Sequence, residues 1–164
     1  DDEWLHKRYE NRKSKVEAEA AEAAWEAAEA CRADGVDDKS MVAQAVAYSM
    51  ERKQFNRVIG SFQGLQHRAA ELFAELELAR SIVLKALHTV DDGDQELSLI
   101  ASAAKAKLCE VAQRATNEAI QMHGGIGMTD EYEIGFFIKR ARVVQHTFGD
   151  YNYHLDRFAH FSGF

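Results

Sequence analysis

Between Leu65 and Val90 the apolar residues Leu65, Ala69, Leu72, Leu76, Ala79, Val83 and Val90 recur at three- and four-residue steps and multiples of them. That period matches one face of an α-helix and no face of a strand. A second stripe, Ala104, Leu108, Val111, Ala115, Ala119 and Met122, repeats the pattern with smaller side chains. Small residues at such positions let two helices approach closely. The 164 residues contain no proline, so nothing breaks these runs by removing an amide donor. The periodicity predicts an all-α, antiparallel helical bundle with short connections.

Further elements follow from punctuation. Residues 1–38 read as a charged, alanine-rich helical extension, with a basic block from His6 to Lys15 and an acidic run from Glu17 to Glu29. Ala33 to Asp38 reads as a stop followed by a new cap at Asp38, opening a bundle over residues 39–164. Helices are expected over 39–56, from Leu65 to Val90, and over about 95–123. Arg57 to Gly64 is expected as a loop and Asp91 to Asp94 as a stop. Thr129 is expected to cap a helix reaching about Thr147, with Ile134, Ile138, Ala141 and Val144 inward. A short aromatic helix from about Asp150 to Phe161 closes the chain.

The chain is large enough for one ordinary core, and its composition is 46% hydrophobic and 29% charged. A formal net charge of −7 argues against nucleic-acid binding, which favours a basic field. Cys31 and Cys109 stand far apart without metal or redox spacing. They are expected to be free thiols in a reducing, cytoplasmic setting. No apolar run reaches the roughly 18 residues of a membrane span. The seven histidines lack the paired spacing of a metal site.

Two places carry candidate chemistry. Gln121-Met122-His123-Gly124-Gly125-Ile126-Gly127 puts three glycines in four positions after a helix. One glycine suffices to end a helix, so the others suit backbone approach to a ligand or to another chain. Arg52, at the end of its helix, either offsets the C-terminal dipole or serves as an anion fork. Phe55 and Phe62 flank the following loop as core or as a stacking platform, with Gln54 and Gln63 beside them.

Met50-Glu51-Arg52-Lys53-Gln54-Phe55, Ile59-Gly60-Ser61-Phe62-Gln63-Gly64-Leu65-Gln66-His67 and Gln121 through Tyr132 together resemble the C-terminal helical domain of acyl-CoA dehydrogenases. The resemblance covers residues 39–160. It implies a flavoprotein that removes two hydrogens across the α and β carbons of an acyl-CoA thioester. A carboxylate takes the α proton and FAD takes a hydride. By that resemblance Arg52 faces the FAD pyrophosphate, Gln54, Phe55 and Gln63 line the same cofactor, and Gln121, Gly124 and Gly125 contact its ADP portion. The FAD would be shared with a partner chain or with missing domains, in a homo- or hetero-oligomer. An electron-acceptor flavoprotein would serve an active assembly.

The departures are chemical. Phe148 stands where many members of that family keep the catalytic glutamate, and a phenyl ring accepts no proton. A minority place the base on the first helix of the domain, and counting back 26 residues from Arg52 reaches Glu26. Ala27 replaces the arginine that usually follows, and Asp34 to Asp38 interrupts the helix. Asp150 and Asn152 replace uncharged, flavin-contacting residues. The expected function is therefore a C-terminal domain or short subunit that does not catalyse alone. The alternative is a non-catalytic helical interaction module that kept the fold.

Overall fold

The computed structural model describes residues 41–92 and 96–164. Glu26, Cys31 and the expected extension over 1–38 lie outside the described residues. In chain order the elements are α1 (Met41–Glu51), β1 (Lys53–Gln54), β2 (Arg57–Val58), a 3-10 turn (Ile59–Ser61) and α2 (Gln63–Asp91). Next come α3 (Leu97–His123), a second 3-10 turn (Gly124–Met128), α4 (Ile134–His146) and α5 (Tyr151–Phe161). The all-α bundle is borne out. None of the described helices is long and apolar enough to cross a membrane.

α3 is the central element, packed against each of the other four helices. Its run against α2 is antiparallel, as the ion pairs show directly. Arg68 meets Glu118, Glu71 meets Arg114 and Glu75 meets Lys107, so numbers rise on one helix as they fall on the other. Between these rows Ala79 packs with Leu108 and Val111, and Ala86 with Ile100 and Ala104. The small side chains permit the close approach that the second stripe predicts. A third cluster, Ala45, Ala119, Met122 and Ile134, joins α1, α3 and the start of α4. Leu72 and Ile134 are sealed from solvent, and burial of each side chain contributes roughly 1.5–3 kcal/mol.

The far end of the bundle is fastened by polar bonds. Lys105, buried on α3, donates from Nζ to the Val144 carbonyl at 2.6 Å. A cation at that point meets the negative end of α4. Gln145 Nε2 donates to the Cys109 carbonyl at 2.8 Å. After α4 the chain turns through Phe148 and Gly149, both at positive φ. Asp150 then caps α5, its side chain accepting from the Tyr153 amide at 2.9 Å.

Several boundaries differ from expectation. The helix expected over 39–56 ends at Glu51, and Lys53 pairs with Val58 in a two-residue hairpin. Its turn residues Phe55 and Asn56 adopt φ of 54° and 61°, the left-handed geometry that such hairpins require. The expected loop Arg57–Gly64 is thus a strand, a 3-10 turn and the first residues of α2. Thr129 does not cap α4, which starts at Ile134. Its hydroxyl donates to the Ile126 carbonyl at 2.7 Å, closing the preceding turn, and accepts from the Glu131 amide at 3.4 Å. Val90, expected inward, is exposed, and the inward positions there are Ala86 and Thr89.

Candidate functional site: a glycine-edged groove

An open groove of about 810 Å³ lies where α1, the hairpin and the start of α2 meet the end of α3. That volume suits a ligand of drug or cofactor size. Arg52 enters it immediately past α1, where its amide makes the last helical bond to Tyr48 O at 2.9 Å. Gln54 and Phe55 come from the hairpin, Gly64, Leu65 and Arg68 from α2, and Gln121, Gly124 and Gly125 from the end of α3 and its turn. Of the site residues expected from sequence, Arg52, Gln54, Phe55, Gln121, Gly124 and Gly125 are therefore brought together. Gln63 is exposed at the first position of α2 and is not a lining residue. Each helical step rotates the side chain by about 100°, so Gly64 takes the groove side and Gln63 leaves it.

The three glycines of the turn have three different reasons to be glycine. Gly124 sits at φ 69° and ψ −146°, a region that residues with a Cβ avoid. At Gly127 an added Cβ would lie 2.9 Å from His123 Cβ and 3.2 Å from Ile120 O, so packing inside the chain excludes it. Gly125 has neither reason. Its φ is ordinary, and an added Cβ would meet nothing within 4 Å. Gly64, across the groove, also opens onto empty space. These two positions leave backbone bare toward the groove without any need from the chain itself.

The groove's walls are aromatic and its charge is positive. Tyr48 stacks on His123 with ring centroids 4.4 Å apart, and Tyr132 meets both edge-on. His123, buried, donates from Nδ1 to the Ala119 carbonyl at 2.8 Å, which fixes its ring. Phe55 is 87% exposed and meets the edge of Phe62, whose face carries the Arg57 guanidinium at 3.9 Å. Arg68 is held bidentately by Glu118, at 2.6 and 3.0 Å, and that hydrogen bonding raises its pKa. No described residue forms an ion pair with Arg52. A guanidinium without an ion-pair partner among the described residues, beside bare backbone, can take an anion, and the flat rings can take a planar heterocycle.

Tyr48, Phe62, Arg68 and His123 complete a lining that sequence reasoning only partly named. Tyr48 was legible in principle, because it lies four residues before Arg52 and so on the same helical face. Arg68 was not, because its position depends on how α2 docks.

The sequence profile of the acyl-CoA dehydrogenase C-terminal domain matches residues 39–162. The chain belongs to the acyl-CoA dehydrogenase family. A probable acyl-CoA dehydrogenase of Bacillus subtilis is 40% identical over 101 residues, 62% of this chain and 26% of that protein. The structure of butyryl-CoA dehydrogenase from Megasphaera elsdenii superposes with a TM-score of 0.71 at 28% identity, covering 90% of this chain and 35% of that one. An acyl-CoA dehydrogenase from Geobacillus kaustophilus superposes with a TM-score of 0.80 at 26% identity, covering 95% of this chain and 39% of that one. The chain thus spans about a quarter to two-fifths of the length of these relatives.

Within this acyl-CoA dehydrogenase domain, Phe148 lies away from the groove, in the turn between α4 and α5. Its side chain is partly exposed. Asp150 is occupied as the cap of α5, and Asn152 is exposed on that helix.

Proposed function

We propose that this chain is the C-terminal part of an FAD-dependent acyl-CoA dehydrogenase, supplying the ADP-side wall of a flavin site that other domains or a partner chain complete. The observation that carries the reading is Gly125, bare toward a groove whose other wall holds Arg52. FAD would supply the hydride acceptor for α,β-dehydrogenation of an acyl-CoA thioester. Arg52 would hold the pyrophosphate, Gln121 and the Gly124–Gly125 backbone would accept its ADP half, and Phe55 would cover the adenine. Gln63, exposed one residue before Gly64, reaches that cofactor only from the rim.

No described residue of the groove is a carboxylate, so the proton acceptor comes from elsewhere. Glu26, or a group of a second copy or unequal partner chain, would fill that role. An electron-acceptor flavoprotein would then reoxidise the assembly.

The test uses the assembly that contains the flavin-binding domains. Arg52→Ala is expected to weaken FAD retention roughly ten- to hundredfold, the worth of a charge-assisted anion contact. Unchanged flavin content in that variant would remove the groove from the cofactor site. A second reading, a helical association module, draws on exposed Phe73, Leu84, Phe136 and Val143. A stable oligomer indifferent to FAD would favour it.

A further inference from the structure

The turn between α4 and α5 is strained and yet tightly determined. Phe148 holds φ 58° and Gly149 φ 106°, and a bulky residue at positive φ is strained. A Cβ at Gly149 would lie 2.4 Å from Tyr153 Cδ1 and 3.0 Å from His154 Nε2. The bond that closes this turn is to His154, whose Nε2 lies 2.9 Å from the Phe148 carbonyl oxygen. A carbonyl only accepts, so Nε2 carries the proton and donates. His154 is 3% exposed, and its other nitrogen, Nδ1, is buried with no hydrogen-bond partner among the described residues. In the neutral ring that nitrogen is a bare lone pair.

We propose that His154 is the positioning residue of this turn and a proton-sensitive latch: the neutral ring holds Phe148 in its left-handed conformation, and protonation at Nδ1 releases it. Protonation would place an N–H in a buried site without an acceptor, which disfavours the charged ring. The bond to the Phe148 carbonyl and the charge of Asp150 favour a positive ring, while burial, Lys105 on α3 and Arg157 on α5 oppose one, and burial is the largest of these causes. The Asp150 side chain already accepts from the Tyr153 amide. Cys109, also on α3, is neutral, because burial pushes its thiol above the ordinary value.

Burial is also the main cause that holds the His154 pKa below the ordinary histidine value of 6.5. The unfolded or released ring therefore binds a proton first as pH falls. Stability of the latched turn is complete above the ordinary histidine value and is lost progressively below it, down to the depressed native value. Opening coupled to one proton changes by up to about tenfold per pH unit within that window.

The experiment is amide hydrogen exchange on the full chain, corrected for intrinsic rates, at about pH 7.5 and about pH 5. The reporting amides are Tyr153 and His154, which bond to Asp150. In the wild type their protection is expected to fall about tenfold or more at the lower pH, while α2 and the first half of α3 keep theirs. His154→Gln supplies an N–H donor that does not titrate, and its protection is expected to be equal at both pH values. His154→Ala is expected to lose protection at both. Wild-type protection that ignores pH, or a Gln variant with the wild-type acid response, overturns the latch. Heteronuclear NMR adds a direct reading, since a protonated Nδ1 at neutral pH would also overturn it.

Discussion

Gly125→Leu and Gly127→Ala are near neighbours in sequence with opposite expected outcomes. The leucine projects into open groove space at an ordinary φ, so the melting temperature of the chain should hold. In the complete assembly the same side chain fills the approach to the backbone, and flavin content should fall. Gly127→Ala forces a Cβ against His123 and Ile120 and should cost about 1–3 kcal/mol in denaturant unfolding, wherever flavin is bound. Equal destabilisation by both would mean that Gly125 also serves packing. From sequence, the clustering of glycines already marked a close approach. Which glycine the chain's own packing requires was not legible, because the answer depends on where Ile120 and His123 place their atoms against Gly127. Gln63 shows the same limit: its type suits a nucleotide, but the helix phase directs it outward.

At the scale of elements, helix interiors were legible and their ends were not. The face from Leu65 to Val83 packs inward because its period repeats over several turns, and no single residue decides it. Ends are decided by single bonds. Thr129 had the right chemistry for a cap, and its hydroxyl does accept from the Glu131 amide, but residues 129–133 form turns and α4 begins only at Ile134. The hairpin was hidden because its turn is Phe55-Asn56, without the glycine that usually signals one. Phe55→Gly should therefore leave the chain as stable or slightly more so, since it relieves about 1 kcal/mol of left-handed strain and removes a ring that is 87% exposed. The same change should weaken FAD retention in the assembly. A fall in stability with unchanged flavin would reverse both assignments. Asp150, which stands where the family resemblance implies an uncharged, flavin-contacting residue, caps α5. Asp150→Ala should cost about 1 kcal/mol by thermal or denaturant unfolding, and Asp150→Asn much less, because asparagine also caps.

At the scale of the whole molecule, residues 39–162 match the acyl-CoA dehydrogenase C-terminal domain, and the fold class followed from periodicity because a bundle needs only matched apolar faces. The groove did not follow from periodicity, since it lies at the edge where α1 and α3 end and α2 begins. Its open side has a direct consequence for binding. The chain alone should hold FAD weakly and purify without flavin absorbance, while co-expression with the flavin-binding domains should yield a coloured complex. Cys109 gives an independent check on the α3–α4–α5 end. Its thiol is buried and its pKa raised, first by burial. In a Cys31→Ser background it should resist a thiol reagent at neutral pH and react fully once denatured. Rapid reaction in the native protein would show that this end of the bundle opens readily.

The walls of the groove come from residues 48–68 and from residues 121–126, and most of the two longest helices lies between them. No one stretch makes a binding surface, and the groove comes into being only when α1 and α2 have closed on the end of α3. A molecule seated there can recognise finished chains alone and will draw unfinished ones toward completion by mass action, adding about 2.7 kcal/mol at a hundredfold excess over its dissociation constant. The cofactor would thus act during biogenesis as a template that selects folded copies, before it takes part in any turnover.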